Sequence, residues 1–132
     1  MSKRSPYNKP DYVELYVRLG GAPVVERAAT DFCVALLKEP AFASFFADVD
    51  AQKLRANMIA FFNMCCGGPN LYDGRDMRSA HASARASGLG ETHLDVAERL
   101  CHAAFIEAGA PPALADEVGL YLRSMRDDIL GL

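Results

Sequence analysis

The sequence predicts an all-α fold with one hydrophobic core. A chain of 132 residues, of which 51% are hydrophobic, has the size and balance of a single globular domain. Apolar residues recur at helical spacing, and in one segment they fall at Leu54, Met58 and Phe61, which places them on one helix face. No segment of the sequence sustains the alternation of apolar and polar residues that is typical of a half-buried strand.

Glycine, proline and one acidic cap define the helices of the first half. Leu19-Gly20-Gly21 ends a first apolar segment, and Pro23 suits the first turn of the next helix. A short aromatic piece follows Pro40, and Asp50 is suited to cap the helix after it. Gly67-Gly68-Pro69 stops that helix, because glycine supplies a left-handed cap and proline prevents continuation.

Two further helices are predicted in the second half. Thr92 and Asp95 have the spacing of a capping box, so a helix is expected to begin there. Gly109 ends it, and Pro111-Pro112 begin a last helix whose apolar stripe continues to Ile129. The sequence thus predicts four substantial helices in two pairs. The pairs are separated by a glycine-rich segment of about 25 residues, a length that in a small domain is usually functional or disordered.

Composition excludes several classes of protein. The net charge is −3 and the basic residues are scattered, so no nucleic-acid partner is expected. The chain has no signal peptide and no apolar run near the length of a membrane span, so we expect no membrane partner and a cytoplasmic location. The four cysteines lack metal-binding or haem-attachment spacing and are interpreted as reduced thiols. Residues 1–11 are expected to form a flexible tail ahead of a domain of residues 12–132.

Several motifs are distributed from about residue 12 to residue 130. They are Leu19-Gly20-Gly21, Phe32, FFADVD at 45–50, GGPNLYDGR at 67–75, the segment Met77 to His81, GAPP at 109–112, Glu117-Val118 and the segment 126–129. With these motifs the sequence resembles the truncated haemoglobins, and in particular their first group. This resemblance implies a two-over-two helical sandwich around haem b, which binds a diatomic gas such as oxygen, carbon monoxide or nitric oxide. A reductase is a possible partner, and the oligomeric state is unknown from the sequence.

The same resemblance implies the site residues. His81 corresponds to the proximal ligand of the haem iron, a role that suits a neutral imidazole. Other residues implied in haem binding are Phe45, Phe46, Lys53, Leu54, Met58, Phe61, Tyr72, Met77 and Leu89. The distal gas pocket is implied to comprise Phe32, Cys33, Leu54, Asn57 and Met58. Cys33 stands where the family typically has tyrosine. Leu54, Asn57 and Met58 occupy the positions in the next predicted helix where the family usually has glutamine or histidine. The pocket is therefore expected to be apolar and the iron five-coordinate.

Several alternatives remain open at the level of sequence. Met58 either forms part of an apolar wall or becomes a sixth iron ligand, as thioethers do in cytochromes. Ligation by a Cys33 thiolate is disfavoured, because an apolar site raises a thiol pKa. His93 is either an aromatic neighbour of the haem or an exposed residue near a helix start. The protein is alternatively a haem enzyme, as a nitric oxide dioxygenase or a peroxidase-like catalyst, or a globin-fold sensor or interaction module without haem.

Overall fold

A computed structural model describes residues 14–68 and 77–132, and within these ranges the chain is helical with no strand. The predicted tail of residues 1–11 and the predicted site residue Tyr72 lie outside the described residues. No helix in the described ranges is long and apolar enough to cross a membrane. The predicted all-α class is confirmed.

Across residues 14–68 and 77–132 the chain forms eight α-helices and one 3₁₀ turn. In chain order they are α1 (Leu15–Leu19), α2 (Ala22–Lys38), the 3₁₀ turn (Pro40–Phe42), α3 (Ala51–Cys66), α4 (Met77–Ala80), α5 (Ala82–Ala86), α6 (Glu91–Glu107), α7 (Pro112–Ser124) and α8 (Arg126–Leu130). The long α2 packs against both α3 and α6, and α6 packs against α7. The pair α2–α3 thus lies on the pair α6–α7, with the short α4, α5 and α8 at one side.

Aromatic packing joins the two pairs. Phe62 on α3 is fully buried, and its ring meets Phe32 of α2 edge-on at 5.8 Å and Phe105 of α6 at 5.4 Å, both between centroids. Such T-shaped contacts are favourable beyond the area they bury, by about 0.5–1.5 kcal/mol each. One side chain therefore ties three of the long helices together.

Both ends of α3 follow from the residues predicted to set them. The carboxylate of Asp50 accepts hydrogen bonds from the backbone N–H groups of Gln52 (3.0 Å) and Lys53 (3.2 Å), which makes it the N-cap. Gly67 ends the helix with φ +85°, the left-handed conformation that favours glycine. A Cβ atom at Gly67 would also collide with the Glu14 side chain, so the glycine lets the end of α3 approach α1.

Three details differ from the sequence-based expectations. The capping box of Thr92 and Asp95 was wrong: α6 begins at Glu91, and the N–H of Gly90 donates to Nδ1 of His93 at 3.1 Å. The last helix is not continuous: α7 ends at Ser124, α8 begins at Arg126, and Met125 forms a turn between them with φ −97° and ψ −1°. The glycine-rich segment expected between the helix pairs carries two short helices, α4 and α5, in its described part.

Candidate functional site

A cavity of about 720 Å³ lies among the long helices and the short α4 and α5. This volume falls within the range of about 300–1,000 Å³ that is usual for ligand pockets. Its described lining consists of Phe32, Leu36, Phe42, Ser44, Phe45, Phe46, Leu54, Asn57, Met58, Phe61, Met77, Ala80, His81, Ser83, Ala84, Ser87, Leu89, Leu94, Ala97, Glu98, Leu122 and Ile129. Ten residues predicted from the sequence to contact haem or gas belong to this set: Phe32, Phe45, Phe46, Leu54, Asn57, Met58, Phe61, Met77, His81 and Leu89.

His81 carries the only imidazole of the described lining, and an imidazole nitrogen is a ligand that suits iron. It stands at the junction of α4 and α5, where φ is −106° and ψ is 8°. Its Nδ1 lies 2.8 Å from the carbonyl oxygen of Met77, one turn earlier. When Nδ1 carries the proton and donates to that oxygen, Nε2 keeps its lone pair and is available to a metal. The bond also fixes the orientation of the ring, as second-shell partners of metal-bound histidines do.

One face of α3 forms a second wall. Leu54, Met58 and Phe61 follow one another at helical spacing, and all three are partly buried in the cavity lining. Phe32 contributes from α2 and is 6% exposed. The wall that α2 and α3 present is therefore hydrocarbon, aromatic ring and thioether, with no strong hydrogen-bond donor among these four residues.

Polar lining residues gather at the rim. The side chains of Ser44, Asn57, Ser83 and Ser87 belong to exposed residues, whereas the fully buried members of the described lining are Phe32, Leu36, Phe42 and Leu94. Asn57, predicted as a possible donor to a bound gas, is thus placed toward solvent. The uncharged polar side chains of the lining thus lie at the mouth of the cavity, whereas its buried members are apolar.

Two predicted site residues lie outside this lining. Cys33 is 2% exposed, next to Phe32 on α2, and burial raises the pKa of its thiol while nearby Arg55 lowers it. Cys33 is not among the residues that line the described cavity, and its place in the gas pocket stays a prediction. Lys53 is exposed in the first turn of α3, one residue before Leu54.

His93 lies in the first turn of α6, and its possible place near the haem stays a prediction. Its ring packs edge-on against Phe45 at 5.2 Å and lies 5.8 Å from Phe42, while its Nδ1 caps α6. Phe42 and Phe45 line the cavity and His93 does not. The imidazole is therefore half-buried behind these two rings, where it supports the cavity wall.

Sequence reasoning missed a charged group in the lining. Glu98 of α6 accepts hydrogen bonds at 2.8 Å from Arg123 and from Arg126. Burial raises the pKa of Glu98, but the hydrogen bonds from the two arginines outweigh this and hold that pKa below its ordinary value. Arg126, only 14% exposed, also pairs with Asp95 and Glu91. These partners are 28 to 35 positions from Arg126, so the linear sequence offers no signal for the network.

The described residues fit an iron porphyrin. A flat apolar macrocycle requires a wide, largely hydrocarbon cavity, and its metal requires one axial ligand from the protein because the ring supplies four nitrogens. The cavity offers the first through its aromatic and aliphatic lining, and His81 Nε2 offers the second.

Comparisons with known proteins agree with this arrangement. The family model of the bacterial-like globins matches residues 14–130. The group 1 truncated hemoglobin GlbN of Synechocystis sp. is 39% identical over 105 residues, which cover 79% of this chain and 85% of that protein. The group 1 truncated hemoglobin of Tetrahymena pyriformis is 29% identical over 124 residues, covering 94% of this chain and 98% of that protein.

Solved structures extend the agreement to the fold. The 2/2 hemoglobin from a Synechococcus species, described in the cyanomet state with covalently attached heme, superimposes with a TM-score of 0.83 at 28% identity. That match covers 91% of this chain and 100% of the other. The truncated hemoglobin of Tetrahymena pyriformis in its Fe(III) form gives a TM-score of 0.82 at 27% identity, covering 89% of this chain and 98% of the other. The chain is a truncated haemoglobin and belongs to the bacterial-like globin family.

Proposed function

We propose that this protein binds one haem b noncovalently in the 720 Å³ cavity, with His81 as the proximal iron ligand, and that it binds a diatomic gas. The observation that carries the proposal is the His81 ring, whose Nδ1 lies 2.8 Å from the Met77 carbonyl, in a cavity whose α2 and α3 walls are apolar. When bound, the haem supplies an iron with one coordination position left for the gas.

The mode of haem attachment is argued from the histidines of the chain. They are His81, His93 and His102. The last two helices, α7 and α8, contain none, so they offer no imidazole for a covalent bond to a haem vinyl group. Covalent attachment, as described for the Synechococcus structure, is therefore not expected here, and b-type haem is the form that we propose.

The lining supports a proposal for the contacts of the haem. We propose that Met77, one turn before His81, and Phe46 pack on the porphyrin and that Phe45, Phe61 and Leu89 complete its apolar surroundings, because all five line the cavity. Lys53, exposed beside the mouth at Leu54, is proposed to pair with a haem propionate. Tyr72 is proposed as a further wall residue on the family resemblance alone.

The gas side is proposed to be the wall of Leu54, Met58 and Phe32. Hydrocarbon groups do not ligate iron, so the ferrous iron is expected to be five-coordinate at rest. Met58 is the exception by chemistry, since its thioether is a known iron ligand. A wall role for Met58 is favoured because it lies between Leu54 and Phe61 in a continuous apolar face of α3, where a flexible thioether fills the gap.

Absorbance spectroscopy tests the proposal. The purified protein, titrated with hemin and reduced, is expected to bind one equivalent and show a five-coordinate high-spin ferrous spectrum that converts on addition of carbon monoxide. His81→Ala should lose haem or retain it weakly. His102→Ala is the matched control, because His102 is paired with Asp116 at 3.0 Å on the outer side of α6, away from the cavity. An unchanged ferrous spectrum in His81→Ala would show that the proximal ligand is another residue.

A further inference from the structure

One arginine joins the segment that carries His81 to the last helix. Nη1 of Arg85, on α5, donates to the carbonyl oxygen of Arg78 on α4 at 2.8 Å and to that of Ile129 on α8 at 3.0 Å. The carbonyl oxygen of Asp128 lies at 3.5 Å from the same nitrogen. A single guanidinium nitrogen thus links the helix before His81, the helix after it and α8. We call this group of contacts the Arg85 bridge.

The bridge spans the point where the helix is interrupted. His81 separates α4, of four residues, from α5, of five. Helices of this length are marginal by themselves, since nucleation is unfavourable and each helix closes few hydrogen bonds. The position of the imidazole therefore depends on the contacts that hold α4 and α5 to the rest of the molecule.

The α8 side of the bridge is shaped to receive the guanidinium. Gly131 ends α8 with φ +74°, and a Cβ atom there would lie 2.8 Å from Nε of Arg85. Arg78 adds a second link, because its Nη2 donates to Oδ1 of Asp128 at 3.2 Å and to the carbonyl oxygen of Leu132 at 2.7 Å. Glycine at position 131 therefore serves both the helix end and the close approach of Arg85.

At its other end, α8 is anchored to a long helix. Arg126, the first residue of α8, donates from Nη2 to Asp95 and to Glu98 on α6, each at 2.8 Å. Between the two anchors, Ile129 places its side chain in the cavity lining. A continuous set of contacts thus runs from α6 through α8 and the Arg85 bridge to His81.

We propose that Arg85 is a positioning residue that fixes the His81 imidazole relative to the cavity and thereby sets the strength of haem retention. The inference rests on the proposed function, because it assumes that His81 ligates the haem iron. Arg85 acts through the backbone of α4 and α8, and its long side chain spans the interruption at His81 without entering the cavity lining.

Haem transfer from the haem-loaded protein to excess apomyoglobin measures retention directly. Arg85→Ala is expected to lose haem about tenfold faster, the change that corresponds to the loss of one charge-assisted hydrogen bond. Arg85→Lys, which keeps the charge and one donor but lacks the planar fork, should restore part of the difference. Arg27→Ala is the matched control, because Arg27 pairs at 3.4 Å with Asp31 within α2 and has no bond to α8 among those that the structure gives.

A spectroscopic readout separates positioning from general destabilisation. The iron–histidine stretching band of the ferrous protein, observed by resonance Raman, should shift or broaden in Arg85→Ala and stay unchanged in Arg27→Ala. Gly131→Ala perturbs the bridge without removing a charge, and it should give the same band change. In the double variant Arg85→Ala with Gly131→Ala the effects on haem loss should add less than fully, because a Cβ at position 131 disturbs the bridge through the Arg85 side chain, which the other change has removed.

The outcomes distinguish the two proposals. If the native protein binds haem and His81→Ala loses it, while both bridge variants retain native haem loss and a native iron–histidine band, the Arg85 inference is overturned and the proposed function stands. If fully additive effects are measured in the double variant, Arg85 and Gly131 act separately and the bridge is likewise rejected. If native protein takes up no haem in the titration, the proposed function itself fails.

Discussion

The apolar wall of α3 makes a quantitative prediction for oxygen release. Leu54 lines the cavity and is partly buried, one turn before Met58 on the same face. Glutamine at this position keeps a similar length and adds an amide donor that can reach into the cavity. Oxygen gains partial negative charge when a ferrous globin binds it, so a donor in the wall stabilises it, whereas carbon monoxide gains less charge and benefits less.

The size of the effect follows from the hydrogen bond that Leu54→Gln introduces. A bond to a charged acceptor contributes about 1.5–3 kcal/mol, which corresponds to about a tenfold to hundredfold change in an equilibrium. Position 54 is half-buried near an exposed rim that includes Asn57. Water competes for the amide there, so the lower end is expected, with oxygen release slowed by about tenfold.

Stopped-flow mixing of the oxygenated protein with carbon monoxide measures the release rate. The native protein is expected to release oxygen fast, and Leu54→Gln to release it about tenfold more slowly, with a smaller change in carbon monoxide release. Ala56→Gln is the control, because it places the same amide two residues later on an exposed position of α3 outside the cavity lining. If the native protein releases oxygen slowly and Leu54→Gln leaves that rate unchanged, the apolar wall is refuted and a donor such as Asn57 or an ordered water is indicated.

Two further predictions concern stability. Burial raises the pKa of Cys65 and of Cys66 from 9.0 to about 12, so the unfolded chain loses these protons first as pH rises. Their contribution to the free energy of unfolding should be complete below pH 9.0 and should be lost toward pH 12, at about 1.4 kcal/mol per pH unit and thiol at most. In denaturant titrations between pH 9 and 11, the free energy of unfolding should fall less steeply with pH in the variant that combines Cys65→Ala and Cys66→Ala than in the native protein. An equal dependence on pH in the two proteins would contradict the raised pKa values of these thiols. Phe62→Ala should lower the free energy of unfolding by about 3–5 kcal/mol. Val17 is 62% exposed, so Val17→Ala should change that free energy little. If urea titrations give equal losses of unfolding free energy for the two variants, Phe62 does not join the helices as described.

Local signals in the sequence predicted much of the fold. A single residue can determine where a helix begins or ends, and Asp50, Gly67 and Pro112 each lie at a helix end where one was expected. The apolar stripe of α3 was also readable, because a helix of 16 residues repeats its facing positions several times. The motif around His81 predicted this residue as the iron ligand, and His81 lines the cavity.

What the sequence could not predict depends on contacts between distant elements. Arg126 meets Glu98 across 28 positions, and Arg85 meets Ile129 across 44. Arginines of this kind look like ordinary surface charges in a linear sequence. Cys33 is a different case: the position next to Phe32 was assigned to the pocket by correspondence with a tyrosine of the family, and this assignment stays a prediction, because the buried thiol is not part of the described cavity lining.

The two sides of the cavity differ in what maintains them. The α3 wall belongs to a helix of 16 residues with its own N-cap and a buried aromatic anchor at Phe62, so its shape is set by the fold. The His81 side consists of two short helices held to α8 by side-chain bonds to backbone carbonyls, which give less stability than a packed core. Haem binding is therefore expected to order the segment around His81 more than it orders α3. We therefore expect substitutions in the Arg85 bridge to act mainly on haem retention, and substitutions in the α3 wall to act mainly on the exchange of gas.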